Sequence, residues 1–444
     1  MMTFEQFKDE CFRIALEKGC ESAEVYAISS DGFSVNILMG EIAKYSIERN
    51  NGLNLRVLFN GKSGYAYTEV FEDAESLVDH AIDNAKAIEN TDANPMQGEC
   101  EYPEIEEKPN PVVEMSEDEK IALAMNLEKD TLAFDDRVNR TRFCSVDTGV
   151  SSTHIHNTLG LHADSEDKYS YAVIMPILRQ GEEENSSFAF KFGPDITEYN
   201  DIIKESVDNA LMQFNAKTVD SGEYRVLLRN DAAGSLLQAF SSMFFAGSVQ
   251  KGLSLLAGKL GEQVANPAIT IIDDPFEKDN PRKFDAEGVP SVVTTVVENG
   301  VLKSYLYNLK TALKDGVVST SNAGRAGVAA PVETAPSNFY IMKGEKSYDK
   351  LVSELDHGLI ITELSGLHAG LNPVSGDFSL IAKGLLVDKG TILRSVDQIT
   401  CAGNFLTMMK NIIDIGSDLR FGPPGFGRVG SPSLLIDKLI ISGK

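Results

Sequence analysis

The stretch "AEVYAISSDGFSVNILMGEIAKYSIERNNGLNLRVLF", residues 23–59, decides the fold class of this chain. Apolar and polar residues alternate along it in short runs, which is the pattern of strands with one buried face. The groups "SDG" and "NNG" within it, at residues 30–32 and 50–52, and "NGKSG" directly after it, at residues 60–64, are typical of hairpin turns. The stretch therefore predicts an antiparallel meander.

Helical patterns flank the meander on both sides. Residues 4–15 and 71–89 carry apolar side chains at the spacing of one helical face. A further helix is predicted after Ser116, because Ser116 and Glu119 have the spacing of a capping box. The first part of the chain thus alternates helices with antiparallel strands.

A second strand-rich stretch follows this helix. Residues 138–180 are rich in β-branched and aromatic residues, and Gly149 and Gly160 are expected to mark turns. A helical pattern at residues 198–216 closes the unit.

The length of 444 residues is too great for one ordinary core and predicts two domains. At residues 91–115, prolines and glutamates interrupt both the helical and the strand periodicity, and we interpret this segment as an exposed connection inside the first domain. We expect an N-terminal domain of helices and antiparallel strands at 1–220 and a β-rich C-terminal domain at 221–444. The fold class is α+β.

The composition excludes several partner classes. A formal net charge of −25 repels phosphate backbones and anionic lipid head groups, so neither nucleic acid nor a membrane is an expected partner. The acidic start of the chain does not resemble a signal peptide, and the five cysteines contain no CxxC pair. We expect reduced thiols and a cytoplasmic protein.

The histidines leave one metal-site alternative open. His154 and His156 alternate on a predicted strand and point to one face, and His162 follows closely. Zinc hydrolysis needs converging imidazoles or carboxylates together with a general base. Without an adjacent acid, the pair is interpreted first as a solvated strand face, and a metal site is the alternative.

The stretch "LSGLHAGLNPVSGDFSL", residues 364–380, contains groups that a serine hydrolase uses, among them Ser365 and His368. Their spacing fits no nucleophile elbow, and the glycines favour a loop with unusual backbone angles. We interpret the loop as facing a cavity or a partner. The candidate residues are His368, Gly370, Asn372, Ser375, Gly376 and Asp377.

The stretch "FGPPGFGRVGSP", from Phe421 to Pro432, is also rich in glycine. It lacks the GK[ST] ending of a phosphate loop, and no helical pattern follows it. We interpret it as a loop near a cavity or an interface.

The stretch "AAGSLLQAFSSMFFAG", from Ala232 to Gly247, is predicted to form one helix. Its apolar face is expected to consist of Leu236, Leu237, Phe240 and Phe244.

Several blocks of the second half occur in a characteristic order. They are "KLGEQVANPAITIIDDP" at 259–275, "VVENGVLKSYL" at 296–306, "TAPSNFYI" at 334–341, "GLHAGLNPVSGDFSLIAKGLLVDKG" at 366–390 and "QITCAGNFLTMMKNIIDIGSDL" at 398–419. With these blocks the chain resembles, over essentially its whole length, the TldD/PmbA family, historically called modulators of DNA gyrase. The resemblance implies a two-domain α+β fold and a cytoplasmic zinc peptidase assembled as a heterodimer.

In that family the TldD-type chains carry zinc on an HExxxH helix, and the PmbA chains, also called TldE, do not. Alignment on "GSLL" places Gln238 and Met243 at the two histidine positions and Ala239 at the glutamate position. Neither Gln nor Met binds zinc as imidazole does, and Ala cannot act as a general base. TldD-type chains also use a cysteine near the C-terminus, and this chain has none after Cys401. The resemblance is therefore to the PmbA/TldE branch, with no metal or catalytic residue in this chain and zinc in a TldD-type partner.

Three hypotheses for the function remain. The first is a non-catalytic subunit of a TldD/TldE-type metallopeptidase that cleaves short or unfolded peptides; the resemblance implies peptide maturation or antitoxin turnover. The second is a stand-alone homodimer that binds peptides without hydrolysing them. The third is an autonomous hydrolase with a metal at the three strand histidines. Under the first hypothesis, substituting Gly370 or Asn372 should lower the activity of the pair without unfolding this chain.

Overall fold

The fold was obtained as a computed structural model, which describes residues 2–89, 94–106, 108–425 and 427–444. The α+β class predicted from the sequence is confirmed. The chain forms two compact units. Unit 1 comprises residues 1–212, 283–291 and 325–333, and unit 2 comprises residues 213–282, 292–324 and 334–444. Residues 283–291 and 325–333 thus belong to unit 1, although they lie after residue 220, where the sequence was divided.

Unit 1 is built on an antiparallel sheet with strand order β3-β2-β1-β4-β5-β6, and β7 also pairs with β5. Its strands are β1 (Ser22–Leu38), β2 (Glu41–Phe59), β3 (Lys62–Thr68), β4 (Val138–Asn157), β5 (His162–Gln180), β6 (Glu183–Ser186) and β7 (Ala189–Phe192). Its helices are α1 (Phe4–Glu17), α2 (Ala74–Ala87), α3 (Glu117–Phe134) and α4 (Asn200–Leu211). The predicted capping box is present, since Ser116 and Glu119 each accept a hydrogen bond from the other's backbone N–H.

The meander has fewer and longer strands than its sequence predicts. The predicted turns at residues 30–32 and 50–52 are wrong, because both groups lie inside continuous strands. The real turns are at Met39-Gly40 and Asn60-Gly61, where both residues of each pair have positive φ. That backbone conformation matches the twist of the flanking strands, so these two pairs reverse the chain. The turn predicted at "NGKSG", residues 60–64, is therefore confirmed at Asn60-Gly61.

Glycines inside these strands serve packing rather than turning. Gly149 was predicted to mark a turn, which is wrong: it lies in β4, paired with Gly32 of β1 and Tyr169 of β5. A Cβ on Gly149 would meet the Tyr169 hydroxyl at 2.5 Å. The glycine therefore makes room for a tyrosine ring lying across the sheet. Gly160 is a turn residue, with φ of +90° between β4 and β5.

Helices α1 and α2 cover one face of the sheet. Phe7 and Cys11 of α1 and Val78 of α2 are fully buried with Val25 and Leu55 of the sheet. Of the predicted connection at 91–115, residues 91–93 and 107 lie outside the described residues. The remainder contains turns and irregular chain with no regular helix or strand.

The two segments from the second half complete unit 1. The Tyr102 hydroxyl donates to the Gly288 carbonyl at 2.9 Å, and the Arg325 guanidinium lies 4.4 Å from the centre of the Tyr26 ring. Gly288 has φ of +74°, and a Cβ there would meet Leu161 at 2.7 Å, so this contact requires glycine.

Unit 2 contains two larger sheets. Its strands are β8 (Gly222–Leu228), β9 (Ile271–Asp273), β10 (Thr294–Glu298), β11 (Val301–Leu302), β14 (Asn338–Ile341), β15 (Gly358–Ser365), β16 (Asp377–Asp388), β17 (Thr391–Asn404), β18 (Ile412–Ile415), β19 (Arg420–Phe421), β20 (Arg428–Ser431) and β21 (Leu434–Ser442). Two short strands, β12 (Ala323–Gly324) and β13 (Glu333–Thr334), pair with each other. The helices are α5 (Asn230–Phe240), α6 (Ala246–Gln250), α7 (Leu309–Asp315), α8 (Tyr348–Leu355) and α9 (Phe405–Asn411).

One of these sheets closes on itself. Its order is β17-β16-β15-β8-β21-β18, and an additional pairing joins β17 to β21. Strands β17, β16, β15, β8 and β21 therefore form a closed ring, which leaves few free strand edges. The other sheet has the order β11-β10-β9-β14-β20-β19.

No helix among the described residues is long and apolar enough to span a lipid bilayer.

Candidate functional site

The segment around Gln238 is less regular than its sequence predicts. A single helix was expected from Ala232 to Gly247. The structure instead ends α5 at Phe240, continues with a 3₁₀ turn at Ser241–Phe244, and begins α6 at Ala246. The backbone thus changes after Phe240 from an α-helix to a 3₁₀ turn.

The apolar face predicted for this segment is confirmed. The Leu236, Leu237, Phe240 and Phe244 side chains are all buried in the main core of unit 2. The Phe240 ring stacks on Phe405 with 4.7 Å between ring centres. Core packing thus holds this face of the segment, and the Phe244 carbonyl also accepts a hydrogen bond from the Leu306 N–H at 2.9 Å.

The three positions aligned with HExxxH lie in different surroundings. Gln238 is exposed, Ala239 is half-buried, and Met243 is completely buried at 0% exposure. Coordination of one ion needs ligand atoms that converge on a common point within about 2–2.5 Å. An exposed amide and a thioether sealed in the core do not meet this condition, so these residues do not fit a zinc ion.

Cys401 is not a substitute ligand. It lies in β17, is 1% exposed, and burial raises the pKa of its thiol to about 12. Because zinc binds the thiolate, a thiol held neutral in an apolar core is a poor ligand.

The loop before β16 is rigidly tied to its neighbours. The Asn372 side-chain oxygen accepts from the backbone N–H of Val374 at 2.9 Å, and the Gly376 N–H donates to the Asn372 carbonyl at 2.8 Å. Asn404 donates through one side-chain nitrogen to the Ser375 carbonyl at 2.9 Å and to the Asp377 carboxylate at 3.0 Å. The bond from Asn404 lowers the pKa of Asp377.

Two of the loop candidates are structural residues. A Cβ on Gly370 would meet the Ser379 carbonyl oxygen at 2.5 Å, so substitution there displaces backbone. Asn372 closes the turn through its side chain. The expectation that Gly370 or Asn372 could be replaced without disturbing this chain is therefore corrected, whereas His368 is exposed and suits such a test.

The serine and the aspartate considered for a serine hydrolase bind different partners in the structure. The Ser365 hydroxyl donates to Glu363 at 3.1 Å, and Asp377 accepts from Asn404. Among the described residues, no hydrogen bond links Ser365, His368 and Asp377 into a triad.

The stretch from Phe421 to Pro432 is a hairpin. Strands β19 and β20 pair through Arg420 with Ser431 and Phe421 with Gly430. The Arg428 guanidinium lies 4.6 Å from the centre of the Phe421 ring and contacts Glu277 at 3.2 Å. Phe426 lies outside the described residues, and the predicted position of the stretch near a cavity or interface stays a prediction.

The strand histidines, by contrast, come together with an acid. The Asp164 carboxylate oxygen lies 2.5 Å from His154 Nδ1 and 2.9 Å from His156 Nε2. Within the described ranges, His154, His156 and Asp164 are the one group of His, Cys, Asp or Glu whose ligand atoms converge on a possible metal position. Sequence reasoning missed Asp164, although pairing of β4 with β5 about a turn at Gly160 places it opposite His154.

The protonation of this group follows from its surroundings. Burial lowers the pKa of His156, which favours the neutral imidazole. Burial raises the pKa of Asp164, but the hydrogen bonds with His154 and His156 outweigh it and the pKa is lowered overall. Near pH 7, Asp164 is therefore an ionised carboxylate and His156 an uncharged imidazole.

Comparisons with known proteins place the chain in a family. Models of the PmbA/TldA metallopeptidase match it three times: domain 1 over residues 23–85, the central domain over residues 110–214, and the C-terminal domain over residues 221–443. The chain belongs to the PmbA/TldD family. The first two matches both lie inside the region predicted as one N-terminal domain.

Relatives of both branches are similar to this chain. The metalloprotease PmbA homolog of Haemophilus influenzae is 27% identical over 96% of this chain and 93% of its own length. The metalloprotease TldD homolog of the same organism is 26% identical over 97% of this chain and 95% of its own length. Overall identity therefore does not separate the two branches.

Solved structures share the fold. A Thermotoga maritima protein described as a modulator of a DNA gyrase is 35% identical, with a TM-score of 0.90 over 99% of this chain and 100% of that chain. TldE from Thermococcus kodakarensis has a TM-score of 0.89 over 98% of this chain and 100% of that chain. Its identity of 21% shows the fold alone.

Proposed function

We propose that this chain is the non-catalytic subunit of a TldD/TldE-type metallopeptidase that cleaves short or unfolded peptides. Zinc and the catalytic glutamate would belong to a TldD-type partner. This chain would contribute part of the surface that receives the peptide.

The observation that carries the proposal is the burial of Met243. A chain that had merely lost its ligands by substitution could keep the former ligand positions facing one open space. Here one position is exposed and another is sealed in the core at 0% exposure. The segment is packed into the core on either side of the break, since the Phe240 ring stacks on Phe405 and the Phe244 ring packs at a tilt against Phe339.

The loop before β16 supports a role in holding peptide. Its bonds through Asn372 and Asn404 fix the backbone, while the His368 side chain remains exposed. A fixed loop with an exposed imidazole can position a polar group against a ligand at low entropic cost. In this proposal the loop binds and orients, and it transfers no proton.

The proposal places the pair in the cytoplasm. All five cysteines are free thiols, as expected for a protein of a reducing compartment.

The test is reconstitution with a TldD-type subunit from the same genome. A fluorogenic peptide library would be incubated with this chain, with the partner, and with both. We expect no cleavage by this chain, cleavage by the pair, and loss of cleavage when the glutamate of the partner's HExxxH is changed to glutamine. Gln238→Ala in this chain is the matched control and should leave the rate unchanged.

Two outcomes would contradict the proposal. Cleavage by this chain alone would show that it carries its own catalytic residues. Failure of any TldD-type subunit to bind, combined with peptide binding by a homodimer of this chain, would favour the stand-alone binding protein.

A further inference from the structure

We propose that His154, His156 and Asp164 of unit 1 bind a divalent transition metal ion of the zinc class. The three side chains come from two adjacent strands of the sheet. Their ligand atoms all lie within 4.8 Å of one another. This site involves no residue of α5 and is independent of the peptidase proposal.

The sheet register brings the ligands together. In the antiparallel pairing of β4 with β5, His154 lies opposite Asp164 and His156 lies opposite His162. Cross-strand partners point to the same face, and their Cβ atoms are about 4.5–5.5 Å apart. Residues two apart on a strand also share a face. The backbone pairing of β4 with β5 therefore places four polar side chains on the same face of the sheet, those of His154, His156, His162 and Asp164.

The distances suit coordination with a small adjustment. Zinc bonds to imidazole nitrogen and carboxylate oxygen are about 2.0–2.2 Å long, which in a tetrahedral site separates the ligand atoms by roughly 3–3.6 Å. Asp164 Oδ1 lies 2.5 and 2.9 Å from the two nitrogens, somewhat closer than coordination requires. The Asp164 side chain is 54% exposed, so it can move outward without unpacking the core.

His162 is a candidate fourth ligand. The His162 ring centre lies 4.7 Å from that of His156, and His162 is exposed on β5. Rotation of this exposed side chain can bring a third imidazole to the ion. Two or three imidazoles with one carboxylate select zinc, nickel or copper over magnesium or calcium, which prefer oxygen ligands.

Helix α1 supplies the surroundings of the site. The Phe4 ring lies 4.9 Å from that of His154, and Lys8 Nζ lies 3.4 Å from His156 Nδ1. An ammonium group can only donate, so Nδ1 accepts and the proton of the neutral ring is on Nε2, where it donates to Asp164. A metal ion takes the place of that proton.

Lys8 therefore competes with the metal ion. When Nε2 binds a metal, the neutral ring carries its proton on Nδ1 and faces an ammonium group. Lys8 must then turn toward Glu5 and Asp9, which already contact it. Removing the ammonium should strengthen binding, which is the opposite of the effect expected from removing a ligand.

The test is titration calorimetry of the full chain with zinc chloride at pH 7.5, after treatment with chelator and dialysis. We expect one zinc per chain for the unmodified protein. Asp164→Ala should weaken binding at least about 100-fold, and Lys8→Met should strengthen it about tenfold, the scale on which partners of a ligating histidine act. His80→Ala, an exposed histidine of α2, is the control and should bind as the unmodified chain does.

Asp164 is the primary variant because its exposed position keeps the fold, which circular dichroism would verify; His156 is buried and its loss could unfold the unit. Zinc should raise the thermal unfolding midpoint of the unmodified chain and not that of Asp164→Ala. Absence of saturable binding by the unmodified chain would overturn the inference. So would equal affinity for the unmodified and Asp164→Ala proteins. Neither result bears on peptide cleavage by the pair.

Discussion

Rebuilding the family motif at residues 238–243 should destabilise this chain and create no zinc site there. The perturbation is the triple variant Gln238→His, Ala239→Glu, Met243→His. Met243 is completely buried and its backbone carbonyl accepts a hydrogen bond from Ser254 at 2.6 Å, so the segment is fixed from within. The introduced histidine at 243 would enter the apolar core instead of an open site.

The magnitude follows from two costs. Loss of a fully buried methionine side chain removes about 1.5–3 kcal/mol of apolar burial. An imidazole buried without a partner for its polar nitrogen adds about 1–3 kcal/mol. The sum of about 2.5–6 kcal/mol is a large fraction of the stability of a typical domain. At Gln238, which is exposed, histidine should change stability by less than about 0.5 kcal/mol.

The assay is urea unfolding at pH 7, followed by circular dichroism, with excess zinc and with chelator. We expect Met243→His and the triple variant to unfold at lower urea than the unmodified chain, with Gln238→His unchanged. The reasoning would be refuted by a triple variant that is as stable as the unmodified chain and binds one additional zinc ion per chain. It would show that position 243 can turn outward.

Three further predictions each concern a single position. Gly149→Ala should cost about 1–3 kcal/mol by overpacking against its cross-strand tyrosine, while Gly327→Ala, in open space, should be neutral; thermal unfolding of both variants decides this. The side-chain bond from the neighbouring arginine lowers the pKa of Asp135 to about 2, so its ion pair stabilises the fold above the ordinary carboxyl pKa and is lost as pH falls from about 4 toward 2. Asp135→Asn should therefore reduce stability by up to about 1 kcal/mol at pH 7 and progressively less below pH 4, as urea unfolding across this range would show; a constant difference would contradict the assignment. His368→Ala should leave unfolding unchanged and lower peptide cleavage by the pair about tenfold, the loss of about 1.4 kcal/mol of binding in the transition state; an unchanged rate would remove the loop from the peptide site.

The helices and the sheet class were predictable because periodicity records which face of an element is buried. The cap at Ser116 and the apolar face through Phe240 followed directly from spacing. The positions of the turns were harder to predict from the sequence. Glycine in "SDG" and at 149 was interpreted as a turn signal, but in this sheet Gly32 and Gly149 leave space for the ring of Tyr169. That reason depends on a strand more than a hundred residues from Gly32 and has no local signature.

The candidate site was predictable to a similar extent. Alignment identified Gln238, Ala239 and Met243, but the break after Phe240 and the burial of Met243 depend on packing that the sequence does not display. Asp164 was missed because its place opposite His154 depends on the register that the turn at Gly160 gives to strands β4 and β5. Conversely, Gly370 and Asn372 were interpreted as ligand-facing when their chemistry serves the loop itself.

The most direct test of the central claim is peptide cleavage by this chain, by a TldD-type subunit, and by the two together. The account predicts that zinc-dependent cleavage requires the partner's HExxxH and is unaffected by Gln238→Ala in this chain. Zinc-dependent cleavage by this chain alone, with the partner absent, would contradict it.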